Sequence, residues 1–271
     1  YDPQKHHHSI VVLRGSDAGT SAMSYMACCL WCLGYPDQAM KYSQESLSLA
    51  QELDHAFSIA DVLVFGGCIL NAMRRDWLAL NQYAEQMVDL ATEKNLHLWI
   101  GAAKMGLGES LIMLGQVQEG ETQLREGMGL EFSIGTRCYL SGRYSFLAEA
   151  KVKSGQIEQA LDTLDEALPI IEDMDERYWE SEHHRKRAEL LLMQADETAA
   201  EVSLQKAIEV ARQQRAKSWE LRAATDLARL WQTQGKTEKA RQLLAPVYDW
   251  FTEGFDTPDL VSARELLEGL T

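Results

Sequence analysis

The sequence has little proline and no excess of basic residues, and both shortages limit the fold classes and binding partners that it can have. Five prolines in 271 residues leave long stretches rich in Ala, Leu, Glu and Gln free to form helices. No window approaches eighteen uncharged apolar residues, and no basic segment leads into an apolar one. We therefore expect neither a membrane-spanning helix nor a signal peptide. Asp and Glu number 41 against 26 Lys and Arg, a formal charge of −15. This charge repels phosphate backbones, so nucleic acid is not an expected partner.

Cysteine is also scarce, and the five residues do not form a recognisable metal site. They are Cys28, Cys29, Cys32, Cys68 and Cys138. Cys29 and Cys32 form a C-x-x-C pair, but no second ligand pair follows at zinc spacing, and the surrounding segment is typical of an apolar helix. We interpret the cysteines as small packing residues of a protein in a reducing compartment. The sequence thus predicts no metal, no cofactor and a cytoplasmic location.

Motifs that carry catalysis are missing as well. The sequence contains no phosphate-binding G-x-x-x-x-G-K-[ST], no G-x-S-x-G and no H-E-x-x-H. His6, His7 and His8 could be a metal-binding tract or a residual tag, but we interpret them as part of a native loop. His183 and His184 are adjacent on a predicted helix and point to different faces, so partly exposed surface histidines are favoured over a metal pair. The chain is predicted not to be an enzyme.

What is present is an internal repeat of about 40 residues. Six anchor positions follow one another at intervals of 41, 40, 40, 40 and 40 residues; they are Gly34, Arg75, Gly115, Gly155, Ala195 and Gly235. Seven residues before each anchor stands a small residue: Ala27, Cys68, Gly108, Ala148, Ala188 or Ala228. Five residues after the anchors stand Ala39, Leu80, Gly120, Ala160, Ala200 and Ala240. A constant register over 200 residues indicates a repeat protein.

The pattern within each repeat predicts a hairpin of two antiparallel helices. In the fourth repeat, a helix over 139–154 is followed by a turn at Gly155 and a second helix over 157–172. Glycine can adopt the left-handed conformation that ends a helix, and the small residues let the two backbones approach closely. Leucines nine residues after the last four regular anchors (Leu124, Leu164, Leu204, Leu244) are expected to fill the space between hairpins. Such hairpins stack, so the predicted fold is all-α, a right-handed α-solenoid of about six repeats.

Four aromatic residues recur at the same 40-residue spacing, at Trp99, Tyr139, Trp179 and Trp219. They could form an aromatic binding stripe. Because they keep the register of the repeat, we favour packing between neighbouring repeats at the start of each first helix.

These features resemble the tetratricopeptide repeat (TPR). The small residue before the turn, the Gly at the turn and the Ala five residues later are the core pattern of that family. The departures are a period longer than 34 residues, the absence of the closing proline and an irregular first-helix Trp position. The resemblance implies a protein-interaction module with a partner-binding inner face.

A closer resemblance is visible at both ends of the chain. The segment from AKSWELRAATDLARLWQTQGK to DLVSARELLEGL looks like the C-terminus of large bacterial signalling proteins that end in a long TPR region. The opening YDPQKHHHSIVVLRGSDAG and the segment LWCLGYPDQA look like the middle of that TPR region. Those proteins join adenylate or guanylate-cyclase-like domains and an AAA or STAND-type ATPase to such repeats. The resemblance implies that the catalytic domains would lie before Tyr1. It carries no catalytic residue over to this chain.

With this repeat pattern, the chain is predicted to divide into three parts. Residues 1–16 form the end of a preceding repeat and a loop. Residues 17–258 form the repeats, and residues 259–271 form a C-terminal capping helix.

Positions six, nine, ten and thirteen residues before the anchors are predicted to be exposed on the inner face of the repeats. The apolar candidates are Tyr25, Phe65, Met105 and Phe146. The charged candidates are Glu109, Glu149, Arg185, Lys186, Glu189, Arg222, Asp226 and Arg229. Arg185, Arg222 and Arg229 could grip an acidic segment or a chain terminus. Alternatively, Glu189 and Asp226 already neutralise these arginines. An ion pair of Arg185 with Glu189, four residues apart, would then only stabilise the helix.

The predicted function is a non-catalytic interaction and regulatory scaffold, a fragment of a larger ATP-dependent signalling protein. Its partner would be a protein, a peptide or the upstream domains of the same chain. One alternative is the ligand-sensing arm of a STAND-type transcription regulator. Another is an autonomous enzyme or ligand-binding protein, which would need several titratable groups converging in the groove.

Overall fold

Helices account for about 81% of the chain in the computed structural model, which describes residues 2–136 and 139–270. No strand occurs within these described ranges. The prediction of an all-α repeat fold is confirmed. The chain forms two compact units, one of Tyr1–Trp31 with Pro36–Arg137 and one of Cys32–Tyr35 with Cys138–Thr271.

The helices of the first unit are connected by short turns. They are α1 (Pro3–Arg14), α2 (Ala18–Leu33), α3 (Pro36–Glu52), α4 (Ala56–Val62), a π-helical segment (Leu63–Ile69), α5 (Leu70–Arg74), α6 (Trp77–Glu93), α7 (His97–Met113) and α8 (Val117–Ser133). Helices α6, α7 and α8 each have 17 residues. Three-residue connections, 94–96 and 114–116, separate them. Two such helices and two such connections account for the 40-residue period.

The second unit continues the same alternation of first and second helices. Its helices are α9 (Leu140–Lys153), α10 (Ile157–Asp165), α11 (Ala167–Met174), α12 (Glu180–Met193), α13 (Glu197–Gln213), α14 (Lys217–Thr233), α15 (Thr237–Tyr248) and α16 (Pro258–Gly269). The single helix predicted over 157–172 is interrupted at Glu166. Pro169 explains the break, because it has no N–H to donate to the carbonyl of Asp165 four residues earlier and its ring crowds that carbonyl.

The four glycine anchors adopt the left-handed backbone conformation predicted for glycine, and so do Arg75 and Ala195. Their φ angles are positive, from 60° at Ala195 to 94° at Gly34 and Gly115. Arg75 and Ala195 adopt this conformation although they carry a Cβ atom, which shows that the packing of the hairpin enforces the turn at some cost in backbone energy.

The small residues on either side of each anchor are buried where the two helices of a hairpin touch. Ala188 and Ala228 are fully buried, and so are Ala200 and Ala240 five residues after their anchors. The closest approach involves two glycines, since a Cβ atom on Gly108 would lie 2.6 Å from the carbonyl oxygen of Gly120. The leucines nine residues after the anchors are also buried, at 0–1% exposure. The predicted register is confirmed.

The interval between the anchors Gly34 and Arg75 is 41 residues long instead of 40, and the π-helical segment lies within it. This segment, Leu63–Ile69, lies inside the continuous helix Ala56–Arg74. A π-helical turn accommodates one more residue than an α-helical turn. The extra residue of the second repeat is therefore absorbed within the helix, and the turn at Arg75 stays in register.

The same helix corrects the expectation that no segment could cross a membrane. Ala56–Arg74 is long and apolar enough by length and composition, with a mean hydropathy of 1.8 over its best window. However, 78% of that window is buried, and it includes the Asp61 carboxyl, whose pKa is raised by burial. A buried core helix has these properties too, so length and composition alone are weak evidence for a membrane span.

The buried alanine before the turn gives a direct test of the packing. Ala188→Leu should lower the free energy of unfolding by about 1–3 kcal/mol, because the added atoms must fit between α12 and α13. The control Gln205→Leu adds a leucine at an exposed position of α13 and should change stability by less than about 0.5 kcal/mol. Urea denaturation followed by circular dichroism measures both, and equal midpoints would contradict the register.

Candidate interaction surface

The second unit contains a continuous series of ion pairs along its first helices. We call it the charge ladder, and it extends from α9 across α12 and α14 to α16. Its five basic and five acidic members are Lys153, Lys186, Arg185, Arg222 and Arg229 with Glu149, Glu189, Glu182, Asp226 and Asp259.

The centre of the charge ladder is a carboxylate shared by two buried arginines. Arg185 donates from Nε to Glu182 Oε2 at 2.8 Å and from Nη2 to Oε1 at 2.9 Å. Arg222 Nη1 lies 3.6 Å from the same Oε2 and also binds Asp259. Burial alone would lower the pKa of Arg185, but Glu182 and Asp226 outweigh it and the pKa is raised. The pKa of Arg222 is raised in the same way by Asp259 and Glu182. Both guanidinium groups stay charged.

The edges of the charge ladder join neighbouring first helices. Lys186 Nζ donates to Glu149 Oε2 at 2.7 Å, linking α12 to α9. Burial would raise the pKa of Glu149, but the positive charge of Lys186 lowers it overall. Arg185 Nη1 donates to Asp226 Oδ2 at 2.7 Å, linking α12 to α14. Arg229 contacts Asp226 and donates to Ser262 Oγ at 3.0 Å, linking α14 to α16.

The charge ladder is electrically balanced and only its edge reaches solvent. The side chains of Arg229 and Glu189 are 50% and 40% exposed, whereas those of Arg185 and Arg222 are 6% and 3% exposed. Arg222 also lies over the ring of Trp219, with Cζ 4.9 Å from the ring centroid. An approaching ligand therefore meets side chains of both signs.

The structure brings Arg185, Arg222 and Arg229 into one network, as the sequence predicted, but it corrects their expected exposure. Arg185 and Arg222 are buried and already paired, which matches the alternative that carboxylates neutralise them. Among the other predicted inner-face residues, four more are buried: Phe65, Met105, Glu109 and Phe146. Lys186, Glu149, Glu189 and Asp226 are partly exposed, and Tyr25 and Arg229 are exposed.

The correction has a simple physical reason. Positions ten and thirteen before the anchors face the adjacent first helix instead of solvent. Arg185 and Arg222 both illustrate this, since they bind carboxylates on the next first helix. In the first unit, the ring of Phe65 packs 4.6 Å from that of Tyr25 on α2. Neighbouring first helices thus approach side by side and cover part of the predicted face.

Three residues of the charge ladder were missed by sequence reasoning: Lys153, Glu182 and Asp259. Glu182 precedes Arg185 by three residues on one helix, a spacing that brings side chains together. Asp259 follows Arg222 by 37 residues, the same separation as between Glu149 and Lys186. A search of the sequence for opposite charges 37 residues apart, about one helical turn less than the 40-residue period, would have found the pairs Glu149–Lys186 and Arg222–Asp259.

The aromatic series packs between repeats, as predicted. The rings of Trp179 and Trp219 meet edge to face at 5.0 Å, and both side chains are buried. Trp99 contacts Phe57 at 5.2 Å. Tyr139 contacts Tyr178 at 5.4 Å.

Three interpretations of histidine and cysteine change. The tract His6–His8 lies in helix α1 and not in a loop. His183, expected to be partly exposed, is fully buried, and burial is the main cause that lowers its pKa to about 4. Cys29 is exposed and not packed. Cys138 lies outside the described residues, and the described part of the chain contains no group of three or more potential metal ligands from His, Cys, Asp and Glu.

The comparisons with known proteins agree with the fold. The tetratricopeptide repeat family matches residues 221–246. An uncharacterised protein of Rhizobium meliloti (strain 1021) is 24% identical over 232 residues, which are 85% of this chain and 22% of that protein. The chain thus spans about a fifth of its relative's length. The crystal structure of BtubC (BKLC) from P. vanneervenii is similar with a TM-score of 0.56 at 17% identity, covering 73% of this chain and 83% of that one. The fold is TPR-like.

The shared carboxylate should be essential for the stability of the second unit. Glu182→Ala leaves two buried arginines short of a partner and should cost about 3–5 kcal/mol of unfolding free energy. Glu209→Ala, at the exposed pair of Glu209 with Lys206, is the control and should cost less than about 1 kcal/mol. Chemical denaturation measures both. Similar losses would show that the network contributes no more than a surface ion pair.

Burial of His183 should make stability depend on pH. Its pKa is about 4 in the folded chain, against 6.5 for an ordinary histidine side chain. Between these values the unfolded state binds a proton that the folded state does not, so stability falls as the pH falls. The contribution is at most about 1.4 kcal/mol per pH unit. His183→Leu should remove this part of the slope between pH 7 and 5 in denaturation titrations. An unchanged slope would show that the ring titrates normally.

Proposed function

We propose that the chain is a non-catalytic interaction module and that its second unit presents the exposed edge of the charge ladder to a protein or peptide. TPR-like repeats generally mediate contacts between proteins. The observation that carries the proposal is the distribution of the charged groups. They are spread over four helices and paired with one another, whereas an enzyme would need several titratable groups converging on one point in a pocket.

The partner surface that fits this edge carries charges of both signs. Lys186 and Arg229 can bind carboxylates of the partner, and Glu189 and Asp226 can bind its basic side chains. Arg185 and Arg222 act as positioning residues, because they hold Glu182 and Asp226 in place. The proposal differs from the sequence-based one, in which Arg185, Arg222 and Arg229 would all bind an acidic segment directly.

The module belongs, in this proposal, to a larger bacterial signalling protein of the cytoplasm that uses ATP. One finding supports a longer parent: the chain matches only 22% of the length of its Rhizobium meliloti relative. The ATP-dependent signalling part rests on the sequence resemblance of residues 216–270 alone. The partner could then be an upstream domain of the same polypeptide. Sequencing the complete reading frame tests this part directly.

Charge reversal tests the binding edge. Lys186→Glu combined with Arg229→Glu should weaken partner binding about tenfold or more, since each loses a charge-assisted contact and gains repulsion. Lys206→Glu with Arg241→Glu makes the same charge change at exposed positions of second helices and should bind normally. Quantitative capture from bacterial lysate identifies partners, and calorimetry with the purified partner gives Kd. Equal binding by both double variants would contradict the proposal.

A further inference from the structure

The first unit contains a polar cluster where helices α1, α2 and α4 meet. It consists of His7 on α1, Asp17 directly before α2, and His55 and Ser58 at the start of α4. We call these four residues the histidine cluster. Its two histidines are 48 positions apart in the chain, so the fold alone brings them together. The cluster has no member in common with the charge ladder, which belongs to the second unit.

One ring nitrogen of His7 is held by a fixed carboxylate. His7 Nδ1 lies 2.9 Å from Asp17 Oδ2. Because a carboxylate only accepts hydrogen bonds, Nδ1 carries the proton and donates it. The other oxygen of Asp17 accepts from the backbone N–H groups of Gly19 and Thr20 at 2.9 and 3.0 Å, and this side chain is fully buried. The Nε2 atom of His7 is left with its lone pair.

The corresponding ring nitrogen of His55 is engaged as well. His55 Nδ1 lies 2.9 Å from Ser58 Oγ and 3.3 Å from Ser58 N, as the cap of α4. Ser58 Oγ also accepts from the backbone N–H of Asp17 at 2.8 Å. A hydroxyl group can donate or accept, so Ser58 is compatible with a proton on either nitrogen of His55. Nε2 is again the ring nitrogen that these contacts leave available.

The two rings lie close enough to share a metal ion. Their centroids are 5.7 Å apart, and their planes make an angle of 76°. Imidazole nitrogens bind zinc at about 2.0–2.1 Å, which places the centroids of two rings on one tetrahedral ion about 5 Å apart. A small movement of either ring is therefore sufficient to reach this spacing. The His7 side chain is 21% exposed, so an ion can approach it from solvent.

The hydrogen bonds around the rings are of the kind that metal sites use. A histidine that binds a metal donates its other ring N–H to a carboxylate, a carbonyl or another acceptor, which fixes the proton position and the direction of the ring. Asp17 makes this contact for His7, and Ser58 does so for His55. Neutral imidazole is a good ligand for zinc, copper and nickel, whereas Mg²⁺ and Ca²⁺ prefer oxygen.

We propose that His7 and His55 bind one divalent transition-metal ion such as Zn²⁺ through their Nε2 atoms, with water completing the coordination. Asp17 and Ser58 are positioning residues of this site. The site has two protein ligands, and so it does not conflict with the finding that the described residues contain no group of three or more. It differs from the sequence-based prediction that the chain binds no metal.

The bound ion joins α1 to α4 within the first unit. Helix α1 needs such a link more than the other helices do, since its Val12 and Leu13 are 73% and 83% exposed. An ion that binds only the folded chain also stabilises it in proportion to occupancy. The inference thus adds a metal-dependent attachment of α1 to the proposed interaction module and does not depend on partner binding.

Calorimetric titration of the intact chain with ZnCl₂ tests the site. We expect one Zn²⁺ per chain at the histidine cluster, and no binding of Mg²⁺ there. His7→Gln and His55→Asn should each weaken Zn²⁺ binding more than about tenfold, and Asp17→Asn about tenfold or more, as for the loss of an outer-shell partner. Asparagine is as good a helix cap as aspartate, so α2 and α4 should keep their caps. Circular dichroism verifies that each variant is folded.

The matched control is the double variant His6→Gln with His8→Gln. It removes the two exposed histidines beside His7 and should leave the Zn²⁺ affinity unchanged. Nitrogen-15 NMR of the histidine rings is an independent readout, in which Zn²⁺ should shift the Nε2 signals of His7 and His55 together. A shift of only one of the two signals would contradict a shared ion.

The other outcomes of the titration also count against the proposal. If the control double variant loses Zn²⁺ while His55→Asn binds it normally, the ion is held by the tract His6–His8. If the combined His7→Gln and His55→Asn variant binds Zn²⁺ as tightly as the original chain, the ligands are other groups, such as the exposed Cys29. An original chain that binds no Zn²⁺ would overturn the proposal outright. None of these results affects the charge ladder, which the Lys186 and Arg229 variants test separately.

Discussion

The structure depends on the close approach of two helices at one pair of small positions in each hairpin. Where Gly108 meets Gly120, there is no room for even one additional carbon between the backbones. This contact fixes the distance between the helices and so forces the left-handed turn between them, even at Arg75 and Ala195. Apart from Leu80 in the second hairpin, these positions hold small residues, and the larger apolar residues fill the spaces between hairpins, as Leu164 and Leu204 do.

The second constraint is the relation between neighbouring repeats, and it is visible in residue spacing. Several contacts join residues 37 positions apart: Glu149 with Lys186, Arg222 with Asp259, and Glu197 with Gln234. A contact at the full period would join equivalent positions. Glu182 with Arg222 and Arg185 with Asp226, by contrast, lie 40 and 41 positions apart. Neighbouring first helices of the second unit therefore make contacts both at the full period and about one helical turn short of it.

The sequence was sufficient to predict the hairpins but not which side chains their stacking would cover. Anchors, small residues and leucines follow from the period, because these positions are defined inside one hairpin. The burial of Arg185 and Phe146 depends on how closely the next first helix approaches, which no single repeat encodes. His183 was misjudged for the same reason, since its burial comes from the preceding hairpin. Predicting which side chains of the first helices are exposed therefore requires the stacking geometry. The opposite charges 37 residues apart are the part of that geometry that can be recognised in the sequence.

The shared carboxylate of Glu182 explains how charge can be buried between repeats. Removing two guanidinium groups from water is costly, and the cost is offset only when nearly every donor has an acceptor. Arg185 meets this condition through Glu182, Glu189 and Asp226, and Arg222 through Glu182 and Asp259. An apolar contact between first helices could tolerate a shift along their axes, whereas these bonds hold at one alignment only. We infer that the buried part of the charge ladder fixes the alignment of the repeats, and that this rigidity keeps its exposed edge in a constant arrangement for a partner.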